Sequence, residues 1–175
     1  MHVFSTAHCD IAAWLRTQEP LTIRAFEPAD SAAVQALADS QLGLGYVELA
    51  HLGAHNCLVA CTEDVLAGFV VVQCGLRVSS LKTIVVDPAW KGRTLAKRLA
   101  QEALSTFVAE TAWTSPAWEH DGRVPADELL RSLGFAPVVR LADYWFDDSV
   151  RRGYSCPACG HPCHCAAVLY ALPRF

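Results

Sequence analysis

Four cysteines and two histidines crowd into ten residues near the end of the chain, Cys156-Pro157-Ala158-Cys159-Gly160-His161-Pro162-Cys163-His164-Cys165. The opening Cys-Pro-x-Cys-Gly has the form of half a zinc knuckle: two thiolates curl round one ion and the glycine permits the turn. A tetrahedral zinc shell needs four such ligands at about 2.0–2.3 Å, and this loop holds enough by itself. The expected ligands are Cys156, Cys159, Cys163 and Cys165. The single residue between the last two strains joint coordination, so His161 or His164 is an alternative to one of them. A loop without metal, reduced or disulfide-linked, and a redox-active pair are the competing readings. Four thiolates would close the shell, so a zinc held here is structural and not catalytic.

The second stretch with chemistry in it is Ile84-Val85-Val86-Asp87-Pro88-Ala89-Trp90-Lys91-Gly92-Arg93-Thr94-Leu95-Ala96. A β-branched run ends at Asp87-Pro88, because proline lacks a ladder donor and restricts the residue before it. A helical stripe then begins, with Leu95, Leu99, Ala103 and Phe107 on one face. First-turn amides of a helix have no partner inside it, and the dipole adds partial positive charge there. Flanked by Lys91 and Arg93, such a turn suits a pyrophosphate.

This stretch resembles the acyl-CoA signature of the GNAT superfamily of N-acetyltransferases, Val-x-Pro-x-x-(Arg/Gln)-Gly-x-Gly-x-(Gly/Ala). Val86, Pro88, Gly92 and Ala96 fall in register. Lys91 stands where Arg or Gln is usual and keeps the charge without the planar fork. Thr94 stands where Gly is usual; a β-branched residue resists positive φ and crowds the approach of a phosphate, although its hydroxyl could donate to one. A second match lies about 40 residues on. The family's Asn-x-x-Ala-x-x-Leu-Tyr-x-x-Leu-Gly-Phe is met by Ala126, Leu129, Leu133, Gly134 and Phe135, with Arg123 and Leu130 replacing its Asn and Tyr.

The resemblance implies a mixed α/β (α+β) fold of the GNAT acyl-CoA N-acyltransferase type: a mostly antiparallel sheet, splayed at its central strands, with helices on both faces. It implies acetyl-CoA as cosubstrate and a primary amine, on a small molecule or a protein, as acceptor. Ile84, Val85 and Val86 would pair with the pantetheine arm, and Lys91, Gly92, Arg93, Thr94, Leu95 and Ala96 would hold the pyrophosphate. Relatives often carry a carboxylate on the central strand, where this chain has Lys82 and Thr83, and a tyrosine acid where it has Leu130. Position near the expected cleft therefore nominates Tyr144 as the acid and Glu119 as the base, with His120 and Asp143 as further candidate bases. Without those usual groups, a catalytically weak acyl-CoA-binding or zinc-stabilised interaction module is the alternative.

The elements that must position these residues follow in order. Residues 1–20 read as an N-terminal extension and residues 21–175 as one domain, with 147–166 a cysteine-rich insertion before the last strand. Alternation predicts strands over 21–26, 57–62, 65–73, 81–86, 112–118, 138–146 and 167–172. Helices are expected from Asp30 or Ser31 to Leu42, from the signature turn to about Thr111, and ahead of Gly134, a C′ glycine after which Phe135 packs back. Residues 46–55 read as a short helix or ordered loop on the acceptor side, and 77–80 as a polar turn. Cys57, Cys61 and Cys74 read as small buried hydrophobes.

Composition bounds the rest. A chain of 175 residues, 53% apolar and 18% charged, suits one globular domain. The net charge of −4, with no basic stripe, argues against a nucleic-acid partner. No apolar run reaches the ~18 residues of a membrane helix, and no secretory signal is visible. Eight cysteines without an export signal favour a cytoplasmic, metal-binding reading. A homodimer stays open.

Overall fold

A computed structural model describes residues 20–63, 65–92 and 94–173. Residues 1–19 of the N-terminal extension, and Arg93, lie outside the described residues. Strands β1 (Thr22–Ala25), β2 (Cys57–Cys61), β3 (Leu66–Gln73), β4 (Val78–Val86), β5 (Ala112–Glu119), β6 (Ala136–Leu141) and β7 (Ala166–Pro173) form one sheet in the order β1-β2-β3-β4-β5-β7-β6. Helices α1 (Ser31–Leu42), α2 (Leu95–Thr106), α3 (Asp127–Ser132) and α4 (Phe146–Arg152) connect them. Among the described residues no helix is long and apolar enough to cross a membrane.

The period of two along the strands sends alternate side chains to opposite faces. On one face Leu58, Ala60, Val70 and Val72 pack with Leu99 and Ala103 of α2. On the other, Cys57, Val59 and Phe69 pack with Val34, Leu37 and Ala38 of α1. Helices therefore cover both faces, and the sheet is antiparallel except at β4–β5.

That one parallel pair sets up the site. Its ladder runs only from Val78–Ala112 to Ser80–Thr114. Beyond it, Ser115 spends its hydroxyl on the Leu81 carbonyl at 3.0 Å. The next residue, Pro116, has no N–H to offer β4, so the two strands part. On β4 the register with β3 jumps from Thr83 to Leu81, leaving Lys82 as the extra residue of a bulge. Bulges bend a strand and re-aim a side chain.

Four sequence expectations are corrected. Residues 78–80 belong to β4 instead of a turn, held by that ladder and by the Ser79 hydroxyl donating to the Val108 carbonyl at 2.7 Å. Helix α2 ends at Thr106, not Thr111, because Phe107 turns extended and buries itself in the core. Strand β6 stops at Leu141; residues from Phe146 coil into α4, with Asp147 and Asp148 in the first turn and Arg151 and Arg152 in the last, the charge order that suits a helix dipole. Cys57 is buried, but Cys61 is half-buried and Cys74 exposed.

The start of α1 yields one prediction. Arg24 grips both oxygens of Asp30 at 2.8 Å, and the Glu27 amide donates to the same carboxylate at 2.8 Å. This fork and amide hold the Asp30 carboxyl below its ordinary value against the opposing pull of burial. Asp30→Ala is expected to cost about 1 kcal/mol, the exposure of Arg24 limiting the gain. Because the folded pKa is lowered, the contribution is full above the usual carboxylate range and vanishes as pH falls through the lowered value. Urea midpoints at neutral and acid pH, converging for the two proteins at low pH, check it.

Candidate active site and cysteine knuckle

Where β4 and β5 part, a cleft of about 440 Å³ opens. Its walls include Leu81 to Val86, Ser115 to Trp118, Lys91, Ala96, Ala126 at the cap of α3, and Leu129 and Leu130 within that helix. Ile84, Val85, Val86, Lys91 and Ala96 from the sequence reading thus share one cleft. Leu130, standing where relatives keep a tyrosine, adds only apolar wall. At the turn into α2, Gly92 takes φ +76° with open space around it. Thr94 takes φ +59°, so the threonine does adopt the left-handed conformation that glycine would occupy without strain. Its side chain is exposed and is not among the residues lining the cleft. Leu95 is buried against the core.

A second cavity, about 400 Å³, lies on the far side of β4. The loop after α1 supplies Tyr46, Glu48 and His51; β3 supplies Val71 to Gln73; and α4 with the residues leading into it supplies Tyr144, Trp145, Asp148 and Arg152. Tyr46, Lys82, Thr83 and Trp145 line both spaces. The bulge thus delivers Lys82 to the place where the two meet.

Electrostatics at this junction follow from burial. Burial and the nearby Arg152 charge lower the Lys82 pKa, and Asp148 only partly opposes them. Burial pushes the Tyr46 hydroxyl up to about 12 even though it is hydrogen-bonded to Thr83. The indole N–H of Trp145 is buried without a hydrogen-bond partner. Arg152 ties the loop to α4 by ion pairs to Glu48 at 2.8 Å and Asp148 at 2.9 Å, and its guanidinium lies 5.2 Å from the Tyr154 ring centre. Burial raises Asp148, but hydrogen bonds from Arg151 and Arg152 outweigh it and keep the carboxylate ionised.

The two catalytic candidates from the sequence are not brought together. Tyr144 reaches the second cavity but not the cleft between β4 and β5, and burial raises its pKa. Glu119 is buried at the end of β5, where Arg140 holds both its oxygens at 2.8 and 3.0 Å, and it lines neither space. His120 has its Nδ1 3.6 Å from the Cys165 sulfur, and Asp143 pairs with His164 at 3.0 Å. Sequence reasoning passed over Tyr46 and Trp145. The one available hint for Tyr46 was its place in the segment expected beside the acceptor.

The cysteine loop folds as a compact knuckle. Cys156 and Gly160 exchange backbone hydrogen bonds at 2.9 Å. The sulfurs of Cys156, Cys159, Cys163 and Cys165 all lie within 4.8 Å of one another, with separations of 3.4, 3.7 and 3.8 Å among them. A tetrahedron with metal–sulfur bonds near 2.3 Å has sulfurs about 3.8 Å apart, so the four thiols fit one ion, and the spacing is far beyond a disulfide bond of about 2.05 Å. His161 turns its Nδ1 to the Tyr154 carbonyl at 3.0 Å and His164 turns to Asp143, so neither histidine joins the cluster. The knuckle is anchored to α4 by the buried Ser149, whose hydroxyl accepts from the Cys163 amide at 2.9 Å. It is seated on the end of α1 at Gly43: a Cβ there would meet the Ser155 carbonyl oxygen at 2.0 Å, and φ is +102°.

Compared with known proteins, residues 12–135 match the Acetyltransferase (GNAT) family. The chain belongs to that family. Its reaction is acetyl transfer from acetyl-CoA to an amine. No curated protein matches the sequence. Solved structures share the GNAT fold at low identity. The Escherichia coli ribosomal-protein-S18-alanine N-acetyltransferase is 17% identical over 88% of this chain and 94% of its own, with a TM-score of 0.66. Arabidopsis thaliana NAA60 in complex with acetyl-CoA is 15% identical over 89% and 100%, with a TM-score of 0.68. Ard1 from Thermoplasma volcanium is 19% identical over 89% and 98%, with a TM-score of 0.62.

Proposed function

We infer that this GNAT protein binds acetyl-CoA in the cleft between β4 and β5 and acetylates a primary amine that enters through the cavity walled by β3 and α4. The observation carrying this reading is the meeting of the two spaces at Tyr46, Lys82, Thr83 and Trp145. The main chain of residues 84–86 and the first-turn amides of α2 would hold the pantetheine and pyrophosphate. The chemical demand is to set a neutral amine against a thioester and to stabilise the oxyanion that forms.

On this reading Lys82, lowered by burial, takes the proton from the acceptor ammonium. The freed nitrogen attacks the thioester carbonyl, the carbon–sulfur bond breaks, and the second nitrogen proton passes to water. Tyr46 stays protonated at neutral pH and supplies a proton to the departing thiolate, then regains one from solvent. Tyr144, at the acceptor side only, steers the amine. The unpartnered Trp145 N–H is satisfied by a substrate oxygen. The four cysteines hold Zn²⁺ as a closed structural shell that keeps the knuckle and α4 in place. A cytoplasmic location goes with this reading, since thiols stay reduced there.

Release of free CoA thiol from acetyl-CoA, measured over a panel of primary amines and free α-amino peptides, tests it. Acceptor-dependent release is the expected result. Tight acetyl-CoA binding with no release for any amine would instead favour the binding-module reading, for which the aliphatic Leu130 is the motivating feature.

A further inference from the structure

A third space, about 140 Å³, lies between the end of α1 and the cysteine knuckle. Its walls are almost wholly apolar. Gln41, Leu42, Tyr46, Trp118 and Trp145 line it, and the same five line the cleft assigned to the acyl donor. With the acceptor cavity it shares Tyr46 and Trp145. The space is therefore a side chamber of the donor cleft more than of the acceptor route. Its floor is the knuckle itself: Tyr154, Cys156, Pro157 and Cys163.

An acetyl group ends in one methyl and has no need of such a chamber. A partly open apolar recess bordered by aromatic rings offers water few polar partners and favours hydrocarbon guests. We propose that this chamber receives the hydrocarbon tail of an acyl group longer than acetyl, so that butyryl- and hexanoyl-CoA serve as donors beside acetyl-CoA. The inference rests on the donor cleft assigned above. The chemistry is the same transfer: the new amide C–N bond forms, the thioester C–S bond breaks, one proton of the acceptor ammonium goes to Lys82 and another to water, and the sulfur leaves as CoA thiol. The chamber adds binding of the tail, and because the tail stays docked while the carbonyl reacts, the gain appears in kcat/KM.

The test is a chain-length series with the protein as purified and one free α-amino peptide as acceptor. Each buried methylene contributes about fourfold, so butyryl-CoA, with two more than acetyl-CoA, is expected to exceed it by about fifteenfold in kcat/KM, and in calorimetric affinity by a similar ratio. Pro157 lines the chamber but not the donor cleft. Pro157→Trp, narrowing the chamber from the knuckle side, is expected to bring butyryl-CoA down to parity with acetyl-CoA. Turnover of acetyl-CoA with butyryl-CoA tenfold poorer overturns the proposal. So does a flat donor profile paired with rates that climb as the acceptor gains an apolar chain, since that gives the chamber to the acceptor. If no donor is turned over, the transferase reading falls separately, and the calorimetric ratio still decides: butyryl-CoA bound no more tightly than acetyl-CoA rejects the chamber.

Discussion

Lys82→Met is expected to cut acetyl transfer by about a hundredfold or more, the usual contribution of a positioned proton acceptor. Acetyl-CoA affinity and melting temperature should stay close to wild type, since methionine keeps an unbranched apolar stem of four atoms and lacks the terminal amine. The pH profile carries the sharper information. Burial holds the Lys82 amine below its ordinary value, so its active, neutral form appears as pH climbs through that lowered value. In wild type the rate should therefore rise with pH and level off; in the methionine variant that limb should disappear. The other ionisable groups facing the same cavity are Tyr46, Glu48, His51, Tyr144, Asp148 and Arg152. Of these, Asp148 is held ionised by its arginines, and Tyr46 and Tyr144 are raised by burial, so the carboxylate loses its proton below that limb and the tyrosines above it. A variant with turnover within threefold of wild type and the limb intact would remove Lys82 from the chemistry.

The second large effect is expected at the knuckle. Protein purified without added metal should carry one zinc per chain, falling to near zero in Cys159→Ser. A ligand bound a thousandfold above its dissociation constant stabilises the fold by about 4 kcal/mol. For a chain of this size that amounts to roughly 10 °C in melting temperature, so chelation and Cys159→Ser should each lower it by about that much. Because the knuckle is fastened to α4 through Ser149 and to α1 through the Ser155 carbonyl at Gly43, its loss should also loosen Arg152 and raise KM for the amine more than for acetyl-CoA. Burial raises the Cys163 and Cys165 thiols, the latter to about 12. Zinc uptake has to expel those protons, and the affinity should weaken as pH falls. A zinc content near zero in active, thermally unchanged protein would dismiss the metal reading.

Much of the fold was legible because its signals are local. Asp87-Pro88 ended a strand, the stripe beginning at Leu95 made α2, and Gly134 with Phe135 closed α3, each through a backbone constraint that neighbours in sequence impose. The error at 142–146 was also local: Tyr144, Trp145 and Phe146 look like strand residues, while the Asp147-Asp148 and Arg151-Arg152 pairs three and four residues apart already spelled a helix. The junction was not legible in that way. Lys82 reaches it because β4 carries one residue more than β3 can pair, and the cleft exists because Pro116 cannot bond across to β4.

The sequence by itself determined the family, through two motifs in register, and marked the cysteine loop, while the fold gathered its four sulfurs and turned both histidines away. Tertiary structure alone decided which polar groups face the reacting space. It bound Glu119 to Arg140 across two strands, set Tyr46 beside Thr83 from a distant loop, and stacked the knuckle against α1 to leave an apolar chamber. The physical reason is that a motif records the backbone's need at one place, whereas a site is an intersection of chain segments whose distances depend on strand register, bulges and packing.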